Sequence, residues 1–166
     1  MGREVRMVPA DWQHPKKQTF DHRTGQYVVE YKPLFAPGWA KSAKEWDEER
    51  EKWERGEYPS YTSAECRSLP YDEYSGRRPY SGDYMPDWPA EQRTHYMMYE
   101  NTSEGTPISP VFATPEELAR WLADNGASAF GGETATYEQW LKVARGGFAP
   151  SMIIANGVVQ NGVAAL

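Results

Sequence analysis

The sequence predicts an α+β fold: a small, mainly antiparallel sheet with two or three helices on one face and a long ordered coil rich in Tyr and Pro. Three observations carry that prediction. Two helix capping boxes stand in the C-terminal half, at Thr114-Pro115-Glu116-Glu117 and at Thr136-Tyr137-Glu138-Gln139. In each, a Thr hydroxyl and a Glu or Gln three residues on satisfy free backbone donors at a helix start. Two hairpin turns, Ser103-Glu104-Gly105 and Asn156-Gly157, flank those helices. Trp39, Trp46 and Trp53 recur a heptad apart inside a charged run, as on the narrow apolar stripe of a surface helix. At 166 residues the chain is expected to be a single domain, 1–166.

Along the chain, residues 1–57 hold strands and the Trp-striped helix. Arg3–Pro9 and Gln26–Phe35 place Val5 and Met7, then Tyr27, Val29 and Tyr31, on single faces of extended chain, which predicts two strands. Trp12–Thr24 between them has no period and reads as a loop or hairpin connection. Pro37–Arg55 reads as a helix, with Ala43 on the Trp stripe and Gly56 as its stop. Residues 58–89 carry six Tyr and five Pro with no regular period. The prolines forbid a continuous helix or ladder, and the rings pin an ordered coil. Residues 90–166 hold a hairpin, two helices and a second hairpin. Thr94–Thr102 and Thr106–Phe112 form the first hairpin, with a helix over Pro89–Tyr99 as the competing reading of its first arm. The two helices run from Thr114 to Asn125-Gly126 and from Thr136 to Gly146-Gly147. Their inner faces are expected from Leu118, Trp121 and Leu122, and from Tyr137, Trp140, Leu141 and Ala144. Met152–Ala155 and Val158–Gln160 close the second hairpin around Asn156-Gly157.

Composition excludes several function classes. Formal net charge is −6, with pI near 5.1, which argues against direct, sequence-specific nucleic-acid binding, because phosphate neutralisation needs clustered cations. Cys66 is the single cysteine, so no internal disulfide or Cys-rich zinc site is expected. No apolar run approaches the length of a membrane span, and no signal pattern opens the chain, so no membrane partner and a cytoplasmic location are expected. Mean hydropathy is −0.81, yet the chain holds seven Trp and eleven Tyr, so rings must build much of its core.

Catalytic signatures are absent: no phosphate-binding Gly loop, no G-x-S-x-G elbow, no H-E-x-x-H. His14 and His22, with Asp11 or Asp21, have the donor types of a zinc or iron site but read better as ordinary exposed loop histidines. His95, Glu100 and Ser103 suggest a triad on paper. His95 and Glu100 differ by an odd number, though, so a strand points them to opposite faces. Cys66 between Glu65 and Arg67 reads as an incidental thiol. No catalytic residue, metal or cofactor is assigned. The interaction candidates are instead Trp39 and Trp53 on the helix, Tyr74, Tyr80 and Tyr84 in the coil, and Ser103 and Glu104 at the hairpin tip. The same Ser, Glu and Gly serve equally as turn chemistry. Tyr residues beside Arg77 and Arg78 suggest base stacking, the weaker reading in an acidic chain. The stripe predicts an internal Trp46 and a partly exposed Trp53.

The stretch Tyr99–Phe112, with Thr114–Ala119, Trp121-Leu122, Asp124–Phe130 and Thr134–Leu141, resembles uncharacterised proteins encoded by tailed bacteriophages and prophages. Val5-Arg6, Val8-Pro9, Asp11-Trp12, His14-Pro15, Glu45–Glu48 and Asp83–Pro89 extend the likeness over nearly the whole chain. The resemblance implies a genomic setting and no established activity. It leads to the expectation of an accessory protein that binds a bacterial host or phage protein inside the host cell. Inhibition of a host defence or CRISPR system is one version. A small enzyme of unrecognised type and a virion assembly accessory are the alternatives, and the sequence leaves the oligomeric state open.

Overall fold

Strand β1 (Gly2–Val8) is an inner strand of a four-stranded antiparallel sheet in the computed structural model, which describes residues 2–101, 105–155 and 157–166. β2 (Lys16–Asp21) and β3 (Gln26–Tyr31) form a separate hairpin. β4 (His95–Glu100) pairs with β1 in the register Val5↔Met98 and Arg6↔Met97. β5 (Thr106–Pro107) and β6 (Phe148–Pro150) flank them, giving the order β5-β4-β1-β6. The competing helix over Pro89–Tyr99 does not form; apart from a single turn at Ala90–Gln92, its C-terminal half is strand. α1 (Trp39–Glu54) and the short α2 (Tyr71–Ser75) lie in the middle of the chain. α3 (Pro115–Asp124), α4 (Tyr137–Gly146), β7 (Met152–Ala155) and β8 (Val158–Asn161) complete it. The class is α+β. Among the described residues no helix is long and apolar enough to cross a membrane.

The chain divides into two compact units, Met1–Phe35 with Trp88–Leu166, and Ala36–Asp87. In the first, antiparallel pairing sends cross-strand partners to the same side of the sheet. Val5, Met98 and Tyr96 therefore face α3 and α4 and join a core of Leu118, Leu122, Trp140, Val143 and Val163. Both capping boxes form: Thr114 Oγ1 accepts from Glu117 N at 3.2 Å, and Thr136 Oγ1 from Gln139 N at 3.3 Å. Val143 and Ala119 are buried beside the residues expected on the two inner faces, whereas Trp121, Tyr137 and Leu141 sit half-buried at the margin.

Gly105 has φ +93°, and a Cβ there would come within 2.1 Å of the Leu34 carbonyl oxygen, so the turn requires glycine. Ser103 and Glu104, the interaction candidates at this tip, lie outside the described residues, as does Asn156 of the second turn. Trp12–Thr24, expected as a loop or hairpin connection, contains β2. Its Lys-Lys-Gln-Thr-Phe-Asp run shows no apolar alternation of its own, and the ladder to β3 supplies the strand.

In the second unit the rings of α1 hold the coil. Trp53 Nε1 donates to the Leu69 carbonyl at 3.0 Å, Trp46 Nε1 to Gly76 at 3.1 Å and Trp39 Nε1 to Pro79 at 2.9 Å. The coil thus runs antiparallel to the helix, clipped at three points. α1 ends in a Schellman motif, with Gly56 N on the Trp53 carbonyl and Glu57 N on that of Lys52, both at 2.9 Å. Burial along the stripe reverses the expected order: Trp53 is 5% exposed, and Trp46 only half-buried. The charged neighbours of Trp53 point away, while Tyr74 stacks on its ring at 4.1 Å and Tyr58 and Tyr71 close the edges.

Candidate functional site

On the sheet face opposite α3 and α4, β1 and β4 present Arg6 and Tyr99, both buried. The Arg6 guanidinium lies over the Tyr99 ring at 4.5 Å and donates to the Leu34 carbonyl at 2.7 Å and to Glu4 Oε2 at 3.1 Å. The turn after β1 brings in Trp12 and His14. His14 is 6% exposed, and its Nε2 lies 2.6 Å from the Lys32 carbonyl, which only accepts. Nε2 therefore carries the proton, and Nδ1 accepts from the Tyr99 hydroxyl at 3.1 Å. Trp12 Nε1 donates to the same hydroxyl, also at 3.1 Å. Burial pushes the Tyr99 phenol up to about 12. It holds the His14 imidazole below its ordinary value, against the pull of the Lys32 carbonyl and with help from the Arg6 cation. Trp12, Tyr99, His14 and the Lys32 carbonyl form a neutral, closed network at the foot of the β2–β3 hairpin.

That hairpin stands clear of the main sheet. Lys16↔Tyr31, Gln18↔Val29 and Phe20↔Tyr27 share one face; Lys17↔Glu30, Thr19↔Val28 and Asp21↔Gln26 share the other. The second face is polar and internally paired, with Lys17 3.4 Å from Glu30, and Thr19 donating to Glu30 at 2.7 Å. The first face is apolar and uncovered: Phe20, Tyr27, Val29 and Tyr31 are 41%, 73%, 63% and 41% exposed. An isolated two-stranded hairpin is marginal in water. This one is fixed at its tip, where the Asp21 carboxylate accepts from Arg23 N at 2.8 Å, and at its foot by His14.

The apolar face runs into an open groove of about 900 Å³. Tyr31 and Lys16 belong to both; Trp12, Pro107, Pro110 and Trp121 wall the rest. A second cavity of about 540 Å³ lies in the other unit, between Trp46, Arg50, Tyr71, Arg77 and Arg78. Two of its cations are committed, since Arg78 makes two bonds to Asp47 at 2.9 and 2.7 Å and Arg77 reaches Asp83 at 2.6 Å, while Arg50 Nε lies 3.5 Å from Glu54 without a hydrogen bond. An anion entering there competes with carboxylates already in place.

The interaction candidates read from the sequence are scattered. Trp53 is buried and Tyr74 half-buried in one ring cluster, Trp39 is half-buried with its indole on the Pro79 carbonyl, Tyr84 is half-buried, and Tyr80 is 59% exposed. His14 and His22 do not converge, and no cluster of metal-ligating side chains occurs among the described residues. His95 and Glu100 lie on opposite faces of β4, as the odd spacing requires. His14, expected as an exposed loop histidine, is buried because Tyr99 and the Lys32 carbonyl engage both its nitrogens; the residues that the sequence did not mark are Trp12 and Tyr99, 87 positions apart, and Phe20 on the unrecognised β2. The alternation of Tyr27, Val29 and Tyr31 was the one available signal, and it does not say which face stays uncovered. Comparison with protein-family models, with curated proteins and with solved structures finds no match to the chain.

Proposed function

We propose that this chain is a phage- or prophage-encoded accessory protein that works inside the bacterial host by binding another protein. Inhibition of a host defence or CRISPR system is one such role. The observation that carries the reading is the uncovered apolar face of the β2–β3 hairpin. Large side chains left in water on a fixed scaffold, beside a ring-lined groove, are the usual signature of a docking surface. A net charge of −6 keeps such a protein soluble while that face is exposed. The setting in this reading comes from the resemblance noted in the sequence alone.

A photo-crosslinking amino acid at position 27 tests this. In lysate of a bacterial host it should capture one discrete protein, while the same probe at Gln26, exposed on the polar face, captures none. Equal capture from both positions, or none from position 27, would refute the reading.

A further inference from the structure

We infer that the groove beside the hairpin takes a proline-rich segment of the partner in the polyproline II conformation, with a carboxylate set against Lys16. The inference deepens the binding reading and rests on it.

The first argument is what the groove lacks. One wall is the edge of the main sheet, where β5 leads into Pro107-Ile108-Ser109-Pro110. Pro107 and Pro110 have no N–H, and Ile108 N is already bonded to the Met98 carbonyl at 2.9 Å. Ser109 alone in this stretch keeps an N–H to offer, so a strand added here would leave most of its own carbonyls unpaired. A polyproline II segment asks for no ladder. It has few or no N–H groups, and its carbonyls point outward to any donor that reaches them.

The second argument is what the groove offers. The Trp121 indole N–H and the Tyr31 hydroxyl have no hydrogen-bond partner among the described residues. Each is a donor on a flat ring, and ring donors over apolar walls are how aromatic-lined grooves read such segments. Of the other polar side chains, His14 has both nitrogens engaged, the Ser109 hydroxyl bonds Met98 N at 2.9 Å and the Pro110 carbonyl at 2.8 Å, and the exposed Gln13 amide at the rim adds a further group open to a ligand.

The third argument is charge. Lys16 Nζ sits 5.2 Å over the Tyr31 ring with no carboxylate partner among the described residues. Asp21 and Glu30 lie on the opposite hairpin face. A second copy of this chain brings no carboxylate on the matching face, so the free cation favours a different, acidic partner.

The test uses the full protein and a short proline-rich peptide carrying one Glu, followed by NMR. The Trp121 indole and Tyr31 resonances should shift saturably. Replacing the prolines by glycine should weaken binding about tenfold, since the preformed conformation is lost. Replacing Glu by Gln should weaken it about two- to five-fold, and Lys16→Met should erase that difference. Trp121→Phe and Tyr31→Phe keep the rings and remove the donors, and each should weaken binding. No shift, equal binding of the glycine peptide, or tighter binding of a strand-forming peptide would overturn the inference. Capture from position 27 that persists when the peptide result fails leaves the docking face standing and removes only its occupant.

Discussion

The Tyr99 hydroxyl stands 3.1 Å from the Nδ1 nitrogen of His14, although 85 residues separate them in the chain. The bond joins the inner strand β4 to the turn that launches the exposed hairpin. Trp12 adds a second bond to the same oxygen, and its ring meets Trp88 edge-on at 4.7 Å. The hairpin's direction is thus set by a buried polar network rather than by contact of its own apolar face.

Tyr99→Phe keeps the ring under Arg6 and removes the hydroxyl. Trp12 Nε1 and His14 Nδ1 lose their partner, one of them in a buried site, which should cost about 1–3 kcal/mol. Urea unfolding would show a lower midpoint, and the β2–β3 amides would exchange faster. An unchanged midpoint with unchanged exchange would mean that the network does not hold the hairpin.

His14 supplies a pH dependence of definite sign. Burial lowers its pKa in the folded state, so the folded protein binds this proton less readily than the unfolded chain. Its contribution to stability is complete above about pH 6.5 and is lost as pH falls from there toward the folded value. The slope for one group is at most about 1.4 kcal/mol per pH unit. An NMR titration should place the His14 midpoint below about 6.5. A midpoint at or above that value would contradict the closed neutral network.

In the other unit, Trp53→Ala removes the ring on which Tyr74 stacks at 4.1 Å and should cost about 3–5 kcal/mol. Trp46→Ala, at a half-buried ring, should cost less. Single-Trp variants should show acrylamide reaching Trp46 more readily than Trp53. Equal quenching would contradict the burial order, and readier quenching of Trp53 would restore the one that its charged flanks suggest.

What the sequence announced was local. The capping boxes at Thr114 and Thr136, the glycine at 105 and the helix under the Trp stripe each depend on residues within a turn or two. Burial along that helix was not legible, because the coil that covers Trp53 returns at Leu69–Tyr74. β2 was not legible because its strand state comes from pairing with β3. The candidate site is the least local part: Trp12, His14, Tyr31 and Tyr99 meet only once β1 pairs with β4, and nothing in their spacing marks that meeting.

The helix caps give an independent check on the sheet's cover. Thr114→Ala and Thr136→Ala should each cost about 1 kcal/mol, since each hydroxyl satisfies a first-turn N–H. Additivity in the double variant is not expected, because α3 and α4 pack on one another in the same core. A denaturation midpoint unmoved by either change would contradict the capping boxes.

The apolar hairpin face is open in the free protein, and the proposed function requires a partner to cover it. Hydroxyl-radical footprinting, run on purified protein and inside bacterial cells, tests it directly. Phe20, Tyr27 and Val29 should oxidise readily when pure and become protected in cells, while Tyr61, 83% exposed in the other unit, stays reactive in both. Tyr27 as reactive in cells as in the purified protein would contradict the account.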